Sequence, residues 1–364
     1  MAETAVRKEN HALRTITAVM MFFIAITHYY SQYTAWGINV SNAVMDTGRF
    51  VIPLFVMISG YFCFSKDGHS EANIKKKALH ILILILIFKA AYLIFSTVLC
   101  ISGIVSFDYV ITELITLSPS FTFDCYGGTK SIMTTQPIWF IYALFLIYGL
   151  WYLFYHFKID FKWTWVISLP ILLLALIVVD IMPMFGIQQF LGMDILGNDS
   201  IGGLLYPFIT IPFFGIGYYL HKHKEWIDEN ISNRTIWCFI FVGMVSIGLE
   251  AYLRGTWYNP VIYVGSLIFS VSAFLGSFRV PENRARSSVL EYIGKYMTMW
   301  MYVFFGMANF IISYLFQSFA DDEVICEIVG PVVALLLDIL MAFAFHQFLK
   351  YLGNRKKIAA ATAA

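Results

Sequence analysis

The stretch ALHILILILIFKAAYLIFSTVLCISGI, residues 78–104, decides the fold class of the chain. It contains a single charged residue, Lys89, and it is longer than the roughly 20 apolar residues that a helix needs to cross a bilayer core of about 30 Å. A run of this length and composition predicts a membrane-spanning helix rather than the core helix of a soluble domain.

Nine further apolar segments lie on either side of this stretch. The ten predicted spans are 13–33, 47–65, 78–104, 137–156, 163–182, 203–221, 235–254, 257–279, 292–317 and 325–349. The composition agrees, since 59% of the 364 residues are hydrophobic and only 13% are charged, whereas soluble domains are about half apolar and a quarter charged. We therefore expect an all-α polytopic integral membrane protein with about ten transmembrane helices. Its expected divisions are a cytoplasmic segment at 1–12, a transmembrane domain at 13–350 and a cytoplasmic tail at 351–364.

The basic residues predict the orientation of these spans. Nineteen of the 24 lysines and arginines fall in the N-terminal segment, in the C-terminal tail and in every second loop between them, or at the ends of the spans that border these stretches. Because cytoplasmic loops carry the excess of Lys and Arg, this alternation predicts that both termini are cytoplasmic and that the number of spans is even. The N-terminal sequence lacks the apolar core and cleavage site of a signal peptide, so we expect the first segment to remain as a span.

The bulk properties also argue against several classes of function. A net charge of +1 does not suit a protein that binds nucleic acid over its whole surface. The five cysteines show neither a CxxC pair nor a regular metal-ligand spacing, so no metal site is expected. Cys100 and Cys125 both fall near the predicted outer face. The sequence is compatible with a disulfide bridge between them and also with two inert thiols.

Ionisable residues inside the predicted spans are candidate functional residues, because a charge in hydrocarbon costs at least ~2.5–3.5 kcal/mol. Arg14 and His28 share the first span, and their spacing places them on one helical face about 21 Å apart along the axis. With the N-terminus inside, Arg14 lies near the cytoplasmic surface and His28 lies in the outer half of the membrane. Lys89 and Asp338 are deeper, and either a structural pair between two helices or a catalytic role would account for them.

The second predicted span begins with GRFVIPLFVMISGYFCF, residues 48–64, and runs in the opposite direction to the first. Arg49 therefore enters at the outer side, and Ser59, Gly60 and Tyr61 emerge near the inner side. A pair of small residues such as Ser59 and Gly60 allows another backbone or a ligand to approach the helix closely.

These two spans resemble the membrane-bound acyltransferase-3 family, which transfers acyl groups, mostly acetyl groups, onto glycans of the bacterial envelope. The segment LRTITAVMMFFIAITHYY is similar to the family's Arg…His motif, and GRFVIPLFVMISGYF is similar to its R-x-x-V-P-L-F-F-x-x-S-G-Y pattern. Weaker likenesses follow in order along the chain in QPIWFIYALFLIYGL, IPFFGIGYYL, GLEAYL and GKYMTMWMYVFF.

Two positions depart from the family pattern. Thirteen residues separate Arg14 from His28 where the family usually has ten, although both spacings keep the two side chains on one helical face. Relatives often carry a histidine three residues after the tyrosine of the ninth span, whereas Tyr302 is followed here by Phe305.

The resemblance implies an O-acyltransferase of the bacterial cytoplasmic membrane, with acetyl-CoA as the donor and an envelope or exported polysaccharide as the acceptor. It implies His28 and Glu250 as catalytic residues, with His28 acting either as a general base or as a transient acyl carrier. The residues that it implies for binding acyl-CoA are Arg14, Lys66, Ser59 and Tyr61. Those that it implies for the acceptor are Arg49 and Trp139.

Two other functions are compatible with a polytopic membrane protein. One is a transporter that exports a glycan or a lipid-linked intermediate, and the other is a glycan polymerase or lipid-linked glycosyltransferase. Many transporters show corresponding repeats in two halves of the chain, and the motif-rich first, second and fourth spans have no counterparts among the last five. Glycan polymerases more often carry a large extramembrane loop, which is not found here. The pattern therefore favours acyl transfer.

Overall fold

The computed structural model describes residues 11–29, 48–64, 71–108, 110–111, 138–159, 162–182, 185–187, 189–190, 193–194, 201–254, 264–280, 289–316 and 329–362. The helices are α1 His11–Tyr29, α2 Val51–Tyr61, α3 Glu71–Ile101, α4 Ile138–His156, α5 Lys162–Ala175 with a π-helical continuation Leu176–Ile181, α6 Ile201–Lys222, α7 Lys224–Asn230, α8 Asn233–Arg254, α9 Val264–Ser277, α10 Val289–Tyr296, α11 Thr298–Phe316 and α12 Gly330–Thr362. Two short antiparallel strands, Gln189–Phe190 and Met193–Asp194, pair between α5 and α6.

Each of the ten predicted spans overlaps at least one of these helices, and the all-α class is confirmed. Within the described part of the chain, four stretches are long and apolar enough to cross a membrane, namely Ile74–Ile101, Asn233–Tyr252, Thr298–Phe316 and Gly330–Asn354. The total of ten spans and the cytoplasmic location of both termini stay predictions.

Helix α3 shows how its sequence suits a lipid environment. Its inward face is buried, with Ile85 and Phe88 at most 3% exposed, while Leu82 and Leu86 on the other face are 38% and 56% exposed. In water such an apolar outer face would be unfavourable, whereas a helix that is hydrophobic on all sides is typical of a membrane span.

Helix α1 occupies a central position, since it contacts α2, α9, α10, α11 and α12. Leu13, Ala18, Met21 and Ala25 on this helix are all less than 3% exposed. A helix packed on so many sides can carry polar side chains only where its neighbours leave room or provide partners.

Helices α2 and α6 cross at backbone contact. A Cβ atom added to Gly60 would overlap the carbonyl oxygen of Phe214, and one added to Gly217 would overlap that of Met57. Glycine is required at both positions because no side chain fits between the two backbones. The expectation that Ser59 and Gly60 admit a close backbone is confirmed, and the approaching element is α6.

Two side-chain pairings considered from the sequence are only partly described by the structure. Cys100 carries a free thiol, and its predicted partner Cys125 lies outside the described residues. Asp338 is fully buried, and neither of its carboxylate oxygens has a hydrogen-bond partner in the described part of the chain. Helix α12 packs mainly on α11 and α1, and a structural pair of Asp338 with Lys89 stays a prediction.

Candidate functional site

A cavity of about 340 Å³ lies between α1, α2, α3, α4, α10 and α11. Its walls are mostly apolar. The polar residues that line it are Thr17, Arg49, Ser59, Lys295, Tyr296, Thr298 and Tyr302. Two of these are cations and none is an acid, so the described wall of the cavity is electropositive. A largely apolar pocket with a few convergent polar groups is the usual form of a small-molecule site.

The cavity runs along α2 rather than across it. Arg49 precedes the first residue of this helix and Ser59 lies near its last turn, so the two are about 15 Å apart at 1.5 Å per residue. Helix α1 runs antiparallel to α2, since Phe23 contacts Phe50 with ring centroids 5.6 Å apart. The end of the cavity at Arg49, here called the Arg49 end, therefore lies toward the C-terminal end of α1. The opposite end, here called the Ser59 end, lies toward its N-terminal end.

Arg49 is the most deeply buried charged residue of the cavity wall, with a 6% exposed surface. Its Nε and Nη2 atoms are both buried and have no hydrogen-bond partner among the described residues. A buried guanidinium normally pairs with a carboxylate or accepts carbonyl partners, so this arrangement is unusual. The prediction that Arg49 contacts a substrate is consistent with its position.

Arg14 belongs to a polar group at the N-terminal end of α1 that also contains His11 and Glu291. His11 Nδ1 donates to Glu291 Oε1 at 2.5 Å, and Arg14 Nη1 lies 3.8 Å from the same oxygen. Helices α1 and α10 can approach this closely because Gly294 has no side chain to meet the carbonyl oxygen of Arg14. Arg14 is not one of the described residues that line the cavity, whereas Gly294 and the neighbouring Lys295 are. This places Arg14 beside the Ser59 end.

The two predicted donor contacts on α2 have different surroundings. Ser59 lines the cavity, and its hydroxyl donates to the carbonyl oxygen of Phe55 at 3.1 Å. Tyr61 is buried and stacks flat on His221, with ring centroids 3.9 Å apart and an interplanar angle of 10°. His221 Nδ1 also donates to the carbonyl oxygen of Tyr61 at 2.8 Å. Ser59 is therefore placed to meet a ligand, whereas Tyr61 joins α2 to α6.

Glu250 lies near the C-terminal end of α8, and its carboxylate accepts hydrogen bonds from the backbone at the start of α9. Its Oε1 accepts the backbone N–H of Gly265 at 2.9 Å, and the carboxylate is also hydrogen-bonded by the N–H of Val264. A negative charge at a helix N-terminus is stabilising, because it satisfies free N–H groups and opposes the helix dipole. Glu250 Oε2 is buried without a partner among the described residues. Glu250 thus holds α9 in place, and its predicted catalytic role stays a prediction.

Three predicted site residues cannot be placed by their side chains. Lys66 lies outside the described residues, and only the backbones of His28 and Trp139 are described. His28 is the penultimate residue of α1, toward the Arg49 end, and Trp139 is the second residue of α4. Phe140, which follows Trp139, lines the cavity, so the start of α4 forms part of its wall.

Two lysines that the sequence did not single out have specific surroundings. Lys295 lines the cavity and lies over the ring of Tyr296 at 5.1 Å. Lys77 differs from the exposed Lys75 and Lys76, since its Nζ donates to the Phe62 carbonyl oxygen at 2.7 Å and lies 3.0 Å from Cys63 Sγ. The charge pattern alone could not show which lysine of this run turns inward.

A family model described as an acyltransferase domain matches residues 10–346. The match covers every cavity helix from α1 to α11 and most of α12. Searches of curated proteins and of solved structures find no match to the chain.

Proposed function

The chain belongs to the acyltransferase-3 family, and from that membership we propose that it transfers an acetyl group from acetyl-CoA to a sugar hydroxyl of a cell-envelope or exported polysaccharide. The observation that carries the proposal is the elongated cavity along α2, with a cation toward each end. A donor and an acceptor that enter from opposite ends can meet inside such a cavity without either molecule crossing the membrane.

The donor enters at the Ser59 end. Its phosphates require basic partners, and Arg14, Lys77 and Lys295 lie toward this end. Lys66 is a further predicted contact of the donor. The pantetheine arm is long and thin, so it suits the apolar walls of the cavity beyond Ser59. This arrangement leaves the adenine and the phosphates outside and brings the thioester toward the Arg49 end.

The acceptor hydroxyl is activated by His28. Its imidazole takes the proton of the hydroxyl, whose oxygen attacks the thioester carbon and forms the new ester bond. The carbon–sulfur bond then breaks, and the CoA thiolate leaves with the proton that the imidazole returns. His28 suits this role because an imidazole gains and loses a proton near neutral pH.

The first test is the chemical state of the glycans in cells that lack the protein. We expect the envelope or exported polysaccharide to lose mass in units of one acetyl group, while its chain length and its amount at the surface stay unchanged. Mass spectrometry of the isolated glycan measures this loss, and the wild-type gene should restore it. A glycan that disappears from the surface but keeps its acetyl groups inside the cell would instead identify an exporter.

A second prediction concerns donor binding by Arg14. Arg14→Ala should raise the KM for acetyl-CoA about tenfold or more with little change in kcat, since a charge-assisted contact to a phosphate is lost. Steady-state kinetics of the purified protein at low and high salt measure the effect. Salt should weaken donor binding less in the variant than in the wild type, because screening acts on a contact that the variant lacks.

Arg14→Lys is the matched control for this prediction, because it keeps the charge and loses the planar fork of the guanidinium. Its KM should fall between those of the wild type and Arg14→Ala. A normal KM with a lost kcat in Arg14→Ala would move Arg14 to the catalytic step. No change in either constant would leave Arg14 as a structural partner of Glu291.

A further inference from the structure

Arg49 lines the cavity and carries guanidinium donors without a partner among the described residues. Its Nε and Nη2 atoms are both buried and both lack such a partner. A guanidinium fits two oxygens of a carboxylate or a phosphate with parallel N–H groups. An oxyanion that reaches Arg49 from the cavity is therefore the partner that its chemistry favours.

The guanidinium of Arg49 is buried in the wall of the cavity. A buried charge without a counter-ion is unfavourable, so the folded protein needs a reason to retain it. No aspartate or glutamate is present among the described residues of the cavity wall, and the other charged residue there, Lys295, has the same sign. A carboxylate or phosphate on a molecule that enters the cavity would supply a counter-charge for Arg49.

We propose that the acceptor is an anionic glycan and that the guanidinium of Arg49 binds its carboxylate or phosphate group. This inference rests on the proposed function, in which the acceptor enters at the Arg49 end. The donor is a poor source of the anion, because its phosphates lie at the far end of the molecule from its acyl group. An acyl group near the Arg49 end places those phosphates at the Ser59 end.

The test measures binding rather than transfer, so that it does not depend on the acyl-transfer reaction. The full-length protein in detergent is titrated with glucuronate and with its neutral isostere glucuronamide, and separately with glucose 6-phosphate and with glucose. The wild type should bind at least one anionic sugar about 10–100-fold more tightly than its neutral counterpart, the range expected for hydrogen bonds to a charged group. A preference for glucuronate identifies a carboxylate as the anion, and a preference for glucose 6-phosphate identifies a phosphate.

Arg49→Gln should abolish this preference, and Arg49→Lys should retain part of it. Arg234→Gln, which removes an exposed cation at the start of α8, is the matched control and should leave the preference unchanged. Arg49→Met should unfold at a temperature equal to or above that of the wild type, because it removes a buried charge without a partner. A strongly lowered unfolding temperature would show that Arg49 holds the fold together and would overturn the proposal.

Three other results would also overturn it. These are a wild type without a preference for either anionic sugar, an Arg49→Gln variant that keeps the preference, and an Arg49→Gln variant that weakens the binding of CoA alone. The last result would assign Arg49 to the donor. A protein that binds anionic sugars through Arg49 but leaves glycan acetylation unchanged on deletion would contradict the proposed function and not this inference.

Discussion

His28→Ala should lower the rate of acetyl transfer by about 10²–10⁴-fold, the usual cost of losing a general base. The protein should still insert and fold, because His28 is the penultimate residue of α1 and not part of its buried middle. The rate is measured with purified protein, labelled acetyl-CoA and the isolated acceptor glycan. The yield and unfolding temperature of the variant in detergent show whether folding is intact.

His28→Gln separates proton transfer from simple hydrogen bonding. Glutamine can donate and accept hydrogen bonds but cannot cycle a proton near neutral pH, so this variant should be as inactive as His28→Ala. His156→Ala, which removes an exposed imidazole at the end of α4, is the control and should retain wild-type activity. Substantial activity in His28→Gln would make His28 a polar packing residue and would make Glu250 the next candidate for the base.

The spacing of Arg14 and His28 has a structural consequence for the donor. Helix α1 is continuous from His11–Tyr29, so the three residues beyond the usual family spacing lengthen the helix and do not form a bulge. At 1.5 Å per residue they add about 4.5 Å between the two positions. In the proposed mechanism, Arg14 binds the phosphates of the donor and His28 lies at its thioester. The pantetheine arm would then span a distance about 4.5 Å longer than in relatives with the shorter spacing.

The helices could be located from the sequence because a bilayer imposes a local rule. Every backbone group in hydrocarbon must be paired within its own segment, so a long apolar run such as 78–104 has to form a helix. This rule does not depend on distant residues, and helix α3 follows it over Glu71–Ile101. The functional significance of Arg14, His28 and Arg49 could be suggested for a related reason, since any charge within such a run needs an explanation.

The partners of these residues could not be predicted, because they come from elsewhere in the fold. Glu291 pairs with His11 and Arg14 across almost the whole length of the chain, and nothing near Arg14 in the sequence indicates it. Glu250 was identified as a candidate catalytic residue, yet its described contacts are with the start of α9. Periodicity gives the face of a helix on which a side chain lies, but it does not give the helix that packs against that face.

The second large effect concerns the crossing of α2 and α6. Gly60→Ala and Gly217→Ala should each destabilise the protein at or above the upper end of the about 1–3 kcal/mol that overpacking usually costs. In both cases the added methyl group would overlap a backbone carbonyl, which cannot rotate away as a flexible side chain can. The yield of folded protein and its unfolding temperature in detergent measure the loss.

Gly149→Ala is the matched control, because this glycine lies within α4 and an added Cβ would meet no atom within 4 Å. It should be neutral or slightly stabilising, since alanine is the better helix former. The double variant of Gly60 and Gly217 then tests the mechanism. Both methyl groups force the same two helices apart, so once the first has separated them the second should cost much less than it does alone. Fully additive losses would mean that the two glycines act at independent contacts. They would contradict the explanation that each substitution destabilises the protein by moving α2 and α6 apart.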